Sequence, residues 1–337
     1  MNVKNTRAIR AAAQEALAVH QNPRRIPLAY AGISAALSLS VTIISYLISQ
    51  NIDQMTGLAN MGNRAVLSTI KTALPLAQLI FLMCLEMSYH MCVLRFARRR
   101  YVDLTDLKAG FPKFGAILRT KLLTIAVYLG LAIGAMYASV FLFMLLPISN
   151  TFYELMLPLL DSATILSGGI VIDDATLAAA TAAIWPVFLI FAGIFGVLGL
   201  PILYSFRMVP YCVADNSQRS AMVILKESRT MMKGNKLSLF KLDLSFWWFF
   251  LAEGLITTTA YLDSILPLAG ISLPWSDTIS YYGFYIISLM GQVLLSWAYL
   301  NRISVSRACF YEAIRPETPN QGVTLGNIFD LAREQQQ

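Results

Sequence analysis

The chain has 337 residues, 57% of them hydrophobic and only 13% charged, with a formal net charge of +7 and a mean hydropathy of +0.60. A water-soluble domain of this length has nowhere to hide so much apolar surface, so composition selects an all-α polytopic membrane bundle instead. Only two histidines are present, which excludes multi-histidine metal catalysis; no metal site and no cofactor is expected.

Residues 1–27 read as a cytoplasmic amphipathic segment. Val3, Ile9, Ala13 and Leu17 interleave with Lys4, Arg7, Arg10 and Glu15 at helical spacing, and Pro23 and Pro27 bracket a break. Two readings fit: a helix lying along the inner membrane face, or the basic flank of an uncleaved signal anchor.

The membrane domain, residues 28–314, then carries six apolar stretches, near Leu28–Ser49, Ala73–Leu94, Leu118–Leu146, Ala182–Tyr204, Leu244–Leu266 and Tyr281–Leu300. Each approaches or exceeds the roughly 20 residues needed to cross about 30 Å of hydrocarbon. Between the third and fourth, Phe152–Ile165 has the pattern of an outer interfacial helix, which Ser167-Gly168-Gly169 breaks. Between the fourth and fifth, Gln218–Lys233 is the clearest amphipathic helix. Ala221, Ile224, Leu225, Ser228, Met231 and Met232 fall on one face and Arg219, Lys226, Arg229 and Lys233 on the other. Asp215, Asn216 and Ser217 offer N-cap chemistry before it, and Gly234 and Asn235 suit a left-handed end after it. This segment is an elbow joining two spans, a platform for anionic lipid headgroups through Arg219, Lys226 and Arg229, or both. Residues 315–337, rich in proline, glycine and glutamine, read as a disordered cytoplasmic tail.

The positive charges sort by loop. Of the 26 Lys and Arg residues, 24 fall on one side of the six spans, and only Arg64 and Lys71 fall on the other. The positive-inside rule makes the populated side the cytoplasm and places both termini there, in a multi-pass protein of a bacterial cytoplasmic membrane. The net positive charge then belongs to anionic headgroups at the inner leaflet, with no nucleic-acid partner implied. A membrane-protein partner or a second copy of the chain fits equally well. Cys84, Cys92, Cys212 and Cys309 match no disulfide framework.

Two carboxylates lie deep inside expected spans, Glu86 in the second and Glu253 in the fifth, with His90 one helical turn after Glu86. Ionisable groups at such depth cost on the order of 3 kcal/mol and face a bundle interior or a wet cavity. The trio could relay protons or bind a substrate cation; the plainer role is a polar contact between helices. Gly130-x-x-x-Gly134 and Gly193, Gly196 and Gly199 have the small-residue spacing of close helix crossings. Phosphate loops, dinucleotide turns, zinc-protease helices and nucleophile elbows are absent from the sequence, so no enzymatic activity is expected.

One region is recognisable. Tyr211-Cys-Val-Ala-Asp215-Asn216, then Ser228, then Met232-Lys233-Gly234-Asn235-Lys236, then Phe240-Lys-Leu-Asp243-Leu-Ser245-Phe246, resembles a bacterial integral-membrane family catalogued as domain-of-unknown-function family 975. Phe310-Tyr311 after the last span and the alanine-rich basic start fit the same family. Departures occur at Val19–Pro23 and in the loop from Pro267 to Trp275, where relatives carry tryptophan-containing motifs. The resemblance implies a multi-span plasma-membrane protein and brings no activity with it. Two functions remain from the residues: a non-catalytic protein that handles lipid or amphipathic molecules or assists an envelope or transport process, and a proton-coupled secondary transporter using the midplane carboxylates Glu86 and Glu253 with His90.

Overall fold

The computed structural model describes residues 5–55, 61–146, 149–150, 185–268 and 277–315. Every regular element among them is helical. Among the described residues, five stretches are long and apolar enough to cross a membrane: Arg25–Gln54, Met61–Ala97, Leu104–Met144, Trp185–Asp215 and Tyr281–Ile314. The chain divides into two units, one made of Met1–Thr120 with Met208–Gln337 and the other of Lys121–Arg207.

In the first unit, α1 spans Thr6–Ala18. Asn5 caps it, its Oδ1 accepting from the backbone N–H groups of Arg7 and Ala8 and so satisfying two donors the helix itself cannot. Its Ile9, Ala13 and Ala16 are buried. The long helices α2 (Arg25–Gln54) and α3 (Met61–Ala97) pack against each other. At 1.5 Å per residue, α3 is about 55 Å long, well beyond the hydrocarbon thickness.

The two halves of α3 live in different surroundings. Its buried residues start at Cys84 and run to Ala97, with none before Cys84. Leu76 and Leu79, in the first half, are 58% and 50% exposed. In water such exposure opposes folding, whereas in lipid the acyl chains cover it and the backbone stays satisfied inside the helix. The protein core therefore sits at one end of α3.

The rest of this unit gathers around that end. Helix α4 begins at Phe114 and runs to Met144, passing into the second unit, and α5 (Leu200–Ser205) lies in the second unit. The chain returns to the first unit with α6 (Val209–Asp215), α7 (Ala221–Met231), α8 (Lys236–Leu244), α9 (Trp247–Thr259), α10 (Leu262–Leu268), α11 (Asp277–Leu295) and α12 (Asn301–Ile314). Helix α3 packs on α6 and α12, α1 on α12 and α8, α7 on α6, and α11 on both α2 and α9.

Several expectations change here. The fifth expected span, Leu244–Leu266, is not one helix: it breaks at Ser245-Phe246 and again at Ala260-Tyr261, giving the short helices α9 and α10. Thirteen residues of α9 cover only about 20 Å. The Thr257–Thr259 run before the second break is β-branched and polar, a poor continuation of a helix. Helix α7 starts at Ala221, later than the capping residues implied. Asp215 instead ends α6, and Asn216 makes a turn in which its Oδ1 accepts from the Gln218 N–H. The left-handed end does form, with φ +84° at Gly234.

Among the described residues, nothing stands within 4 Å of where a Cβ would sit on Gly130, Gly134, Gly193 or Gly196, and at Gly199 the neighbour is Phe195 of the same segment. The tight crossing is elsewhere. A Cβ on Gly291 of α11 would come within 2.9 Å of Ile256 of α9. The expected outer helix Phe152–Ile165 and the tail 316–337 lie outside the described residues. In the second unit, a π-helical turn at Phe195–Gly199 precedes α5, the Phe191 and Phe195 rings stack at 5.7 Å, and Tyr128 meets Phe206 edge-on at 6.4 Å.

Candidate functional site

The buried end of the first unit is built on an aromatic and thiol core. Tyr211 of α6 and Tyr311 of α12 stack at 5.7 Å, and the Tyr211 hydroxyl donates to the Ser304 carbonyl at 3.1 Å. Phe96, Phe310, Met208, Ile224 and Met232 complete a region closed to solvent. All four cysteines are buried thiols.

Over this core lies a charged knot. Arg98, just past the end of α3, donates from Nη2 to Asp215 Oδ1 at 2.7 Å and to Glu312 Oε1 at 2.7 Å, and from Nε to Glu312 Oε1 at 3.0 Å. Arg315 closes on the other oxygen of Asp215 at 2.8 Å. Two cations and two carboxylates thus alternate, joining the ends of α3, α6 and α12. Burial alone would depress the Arg98 pKa, but the Glu312 charge and the hydrogen bonds from both carboxylates outweigh it and raise the pKa above its ordinary value.

A second buried pair, Arg307 Nε to Asp243 Oδ1 at 2.8 Å, ties α12 to α8. Arg99, in the left-handed conformation at φ +54°, reaches Glu15 of α1 at 3.0 Å. The knot could not be read from spacing, because Arg98 lies more than a hundred positions from both of its carboxylate partners. The only sequence signal was Asp215 and Asp243 recurring inside the family pattern.

The remaining pattern residues take structural posts. Ser228 is fully buried on α7. Asn235 donates from Nδ2 to the Met231 carbonyl at 2.9 Å, Lys236 opens α8, and Ser245 closes it by donating to the Leu242 carbonyl at 2.7 Å. Lys233 is exposed. Among the headgroup candidates, Lys226 and Arg229 are exposed, but Arg219 is not a free cation. Its guanidinium is hydrogen-bonded to Glu227, whose bond and charge raise the Arg219 pKa.

The intramembrane residues separate. His90 Nδ1 lies 2.8 Å from the Glu86 carbonyl, so that nitrogen carries the proton and the one-turn spacing is used through the main chain. The His90 ring meets Tyr211 at 5.4 Å. Glu86 is half-buried, with Tyr30 of α2 within its electrostatic reach, while Glu253 is on an exposed face of α9. Their helices pack chiefly on different neighbours, α3 on α2 and α9 on α11.

What the sequence reading missed is a polar lane on α2. Ser34, Ser38 and Thr42 repeat at one-turn spacing. Gln78 of α3 donates to Ser38 at 2.9 Å, and Thr42 donates to the Tyr285 hydroxyl of α11 at 3.3 Å. A cavity of about 170 Å³ on this lane is lined by Tyr30, Ser34, Ser38, Gln292 and Ser296 with apolar neighbours. The signal available was the serine-threonine period itself, together with Gln78 and Gln292 inside apolar spans. No group of three or more potential metal-ligating side chains occurs among the described residues.

Among the described residues, every regular element is helical and five helices are long and apolar enough to cross a membrane, the composition of a polytopic membrane protein. The model of a family described as a protein of unknown function (DUF975) matches residues 1–318, and the chain belongs to that family. No curated protein and no solved structure matches it.

Proposed function

We propose that this is a non-catalytic protein of the bacterial cytoplasmic membrane, with both termini and the charged knot on the cytoplasmic side. Its basic inner face engages anionic headgroups and handles lipid or amphipathic molecules, or assists an envelope or transport process, alone or with a membrane-protein partner or a second copy. The observation that carries this reading is the contrast within α7 and its end. Ile224, Leu225, Ser228, Met231 and Met232 are buried, while Lys226, Arg229 and Lys233 remain exposed. Exposed cations beside an anionic leaflet contribute about 1 kcal/mol each.

In nanodiscs of phosphatidylglycerol, the chain should melt at a higher temperature than in phosphatidylcholine. A Lys226→Gln, Arg229→Gln, Lys233→Gln triple variant should lose most of that difference, and high salt should shrink it. Equal melting in both lipids for the unaltered chain would contradict the reading.

The polar lane favours a second reading, proton-coupled transport, because Tyr30 both lines the lane's cavity and lies within reach of Glu86. Under that reading, proteoliposomes show gradient-driven uptake that Glu86→Gln abolishes while Glu253→Gln, altering an exposed residue, does not. A Glu86→Gln variant that only lowers the melting temperature would assign Glu86 a structural role.

A further inference from the structure

The geometry points to a built site for the phosphate of an anionic glycerophospholipid where α1, α9 and α12 meet. A pocket of about 320 Å³ there is lined by Arg10 and Gln14 of α1, Phe246 and Trp248 at the start of α9, and Tyr299 and Arg302 at the start of α12. Each guanidinium rests over a ring: Arg10 lies 4.9 Å from the Phe246 centroid and Arg302 lies 5.9 Å from that of Tyr299. Trp248 braces Tyr299 edge-on at 4.2 Å.

No carboxylate lines this pocket. Among the described residues, neither Arg10 nor Arg302 enters an ion pair, whereas Arg95, Arg98, Arg99, Arg219, Arg307 and Arg315 all do. The fold therefore places two guanidinium groups in the lining of one cavity, neither bonded to a carboxylate among the described residues. Guanidinium groups match phosphate oxygens two at a time, and stacking on rings fixes their planes without neutralising them.

The surroundings select a lipid as the source of the phosphate. Trp248 is followed at three and seven residues by Leu251 and Leu255, 52% and 63% exposed on the same face of α9. A phosphate seated on the arginines would send its acyl chain down that apolar stripe, with Trp248 and Tyr299 at the level where such rings mark the interface. The lipid assignment rests on the proposed inner-face placement; the phosphate site itself does not.

The test uses the purified full chain in a non-ionic detergent, titrated with short-chain phosphatidylglycerol and followed by tryptophan fluorescence. A saturable change is expected, carried by Trp248 and so lost in Trp248→Phe while native mass spectrometry still detects bound lipid. Arg10→Gln and Arg302→Gln should each weaken binding about tenfold, the scale of one set of charge-assisted hydrogen bonds. Arg10→Lys and Arg302→Lys, which keep the charge, should fall between these and the unaltered chain, with melting temperatures checked for all four.

Inorganic phosphate producing the same saturable change at the same concentration would support the anion site and overturn its assignment to a lipid. Binding unchanged in both glutamine variants would overturn the site. If the site fails while the Lys226, Arg229, Lys233 triple variant still loses its phosphatidylglycerol stabilisation, the proposed function stands without this pocket. If the triple variant is also silent, the headgroup reading falls with it.

Discussion

Arg98 joins the ends of three helices in the packed region. Its side chain is 23% exposed, and its two carboxylate partners are 15% and 13% exposed. Replacing Arg98 with methionine leaves Glu312 without its cation, although Asp215 keeps Arg315; a loss of about 3 kcal/mol is expected, read as a fall in melting temperature. Arg98→Met with Glu312→Gln should recover part of that loss. Because the Arg98 pKa is raised on folding, its stabilisation is complete below the unfolded value and fades only at strongly alkaline pH. His20 has the opposite sign. Burial lowers its pKa from 6.5, and its ring meets Phe96 edge-on at 4.7 Å. The unfolded state therefore binds the proton more readily, and stability falls as pH drops through 6.5. A His20→Gln variant should show a smaller drop in melting temperature between about pH 7.5 and about pH 5.5 than the unaltered chain. An equal drop would remove His20 from the acid sensitivity. At this scale the one-turn spacing of Glu86 and His90 was legible, because helical periodicity fixes neighbours, but not its use, in which the His90 ring bonds the Glu86 carbonyl. The pairing of Arg98 with Asp215 and Glu312 was not, since a charge in a loop carries no record of its distant partner.

At the scale of elements, close approaches decide which substitutions the helices tolerate. Gly110 donates to Ser88 Oγ at 2.9 Å, and a Cβ there would lie 2.5 Å from the Cys84 carbonyl oxygen. Backbone cannot step aside as a side chain can, so Gly110→Ala should cost about 1–3 kcal/mol and resist rescue. Gly291→Ala meets the Ile256 side chain first. Its penalty should shrink when Ile256 is shortened to valine; if the shortening brings no recovery, the crossing of α9 and α11 is placed wrongly. The burial pattern of α7 was readable at this scale, because its apolar positions repeat at helical spacing and the packed side claims them. The helix crossing was not. Small residues at regular spacing in α4 permit an approach without causing one, and Gly291, a lone glycine, gave no pattern to notice. The break within the fifth expected span also escaped, since a running average of hydropathy is insensitive to Ser245 and to three adjacent threonines.

For the molecule as a whole, structure and sequence each show a partition. Many exposed apolar residues lie on the long helices, while the buried residues of α3 gather at its one end from Cys84 onward. On the six-span reading of the sequence, 24 of 26 basic residues fall in segments on one side of the apolar stretches. Hydropathy is a sum over local residues and survives in the sequence whatever the tertiary contacts, which is why the class of protein was legible and its inner pairings were not. The proposed cytoplasmic placement of the charged end is tested by placing single reporter thiols at exposed positions: Arg100→Cys and Lys226→Cys at that end, and Arg64→Cys near the start of α3, at its other end. The native cysteines are buried and contribute little background. A membrane-impermeant maleimide should label Arg64→Cys in intact cells, and the other two only in inverted vesicles; labelling of Arg100→Cys or Lys226→Cys in intact cells would reverse this orientation.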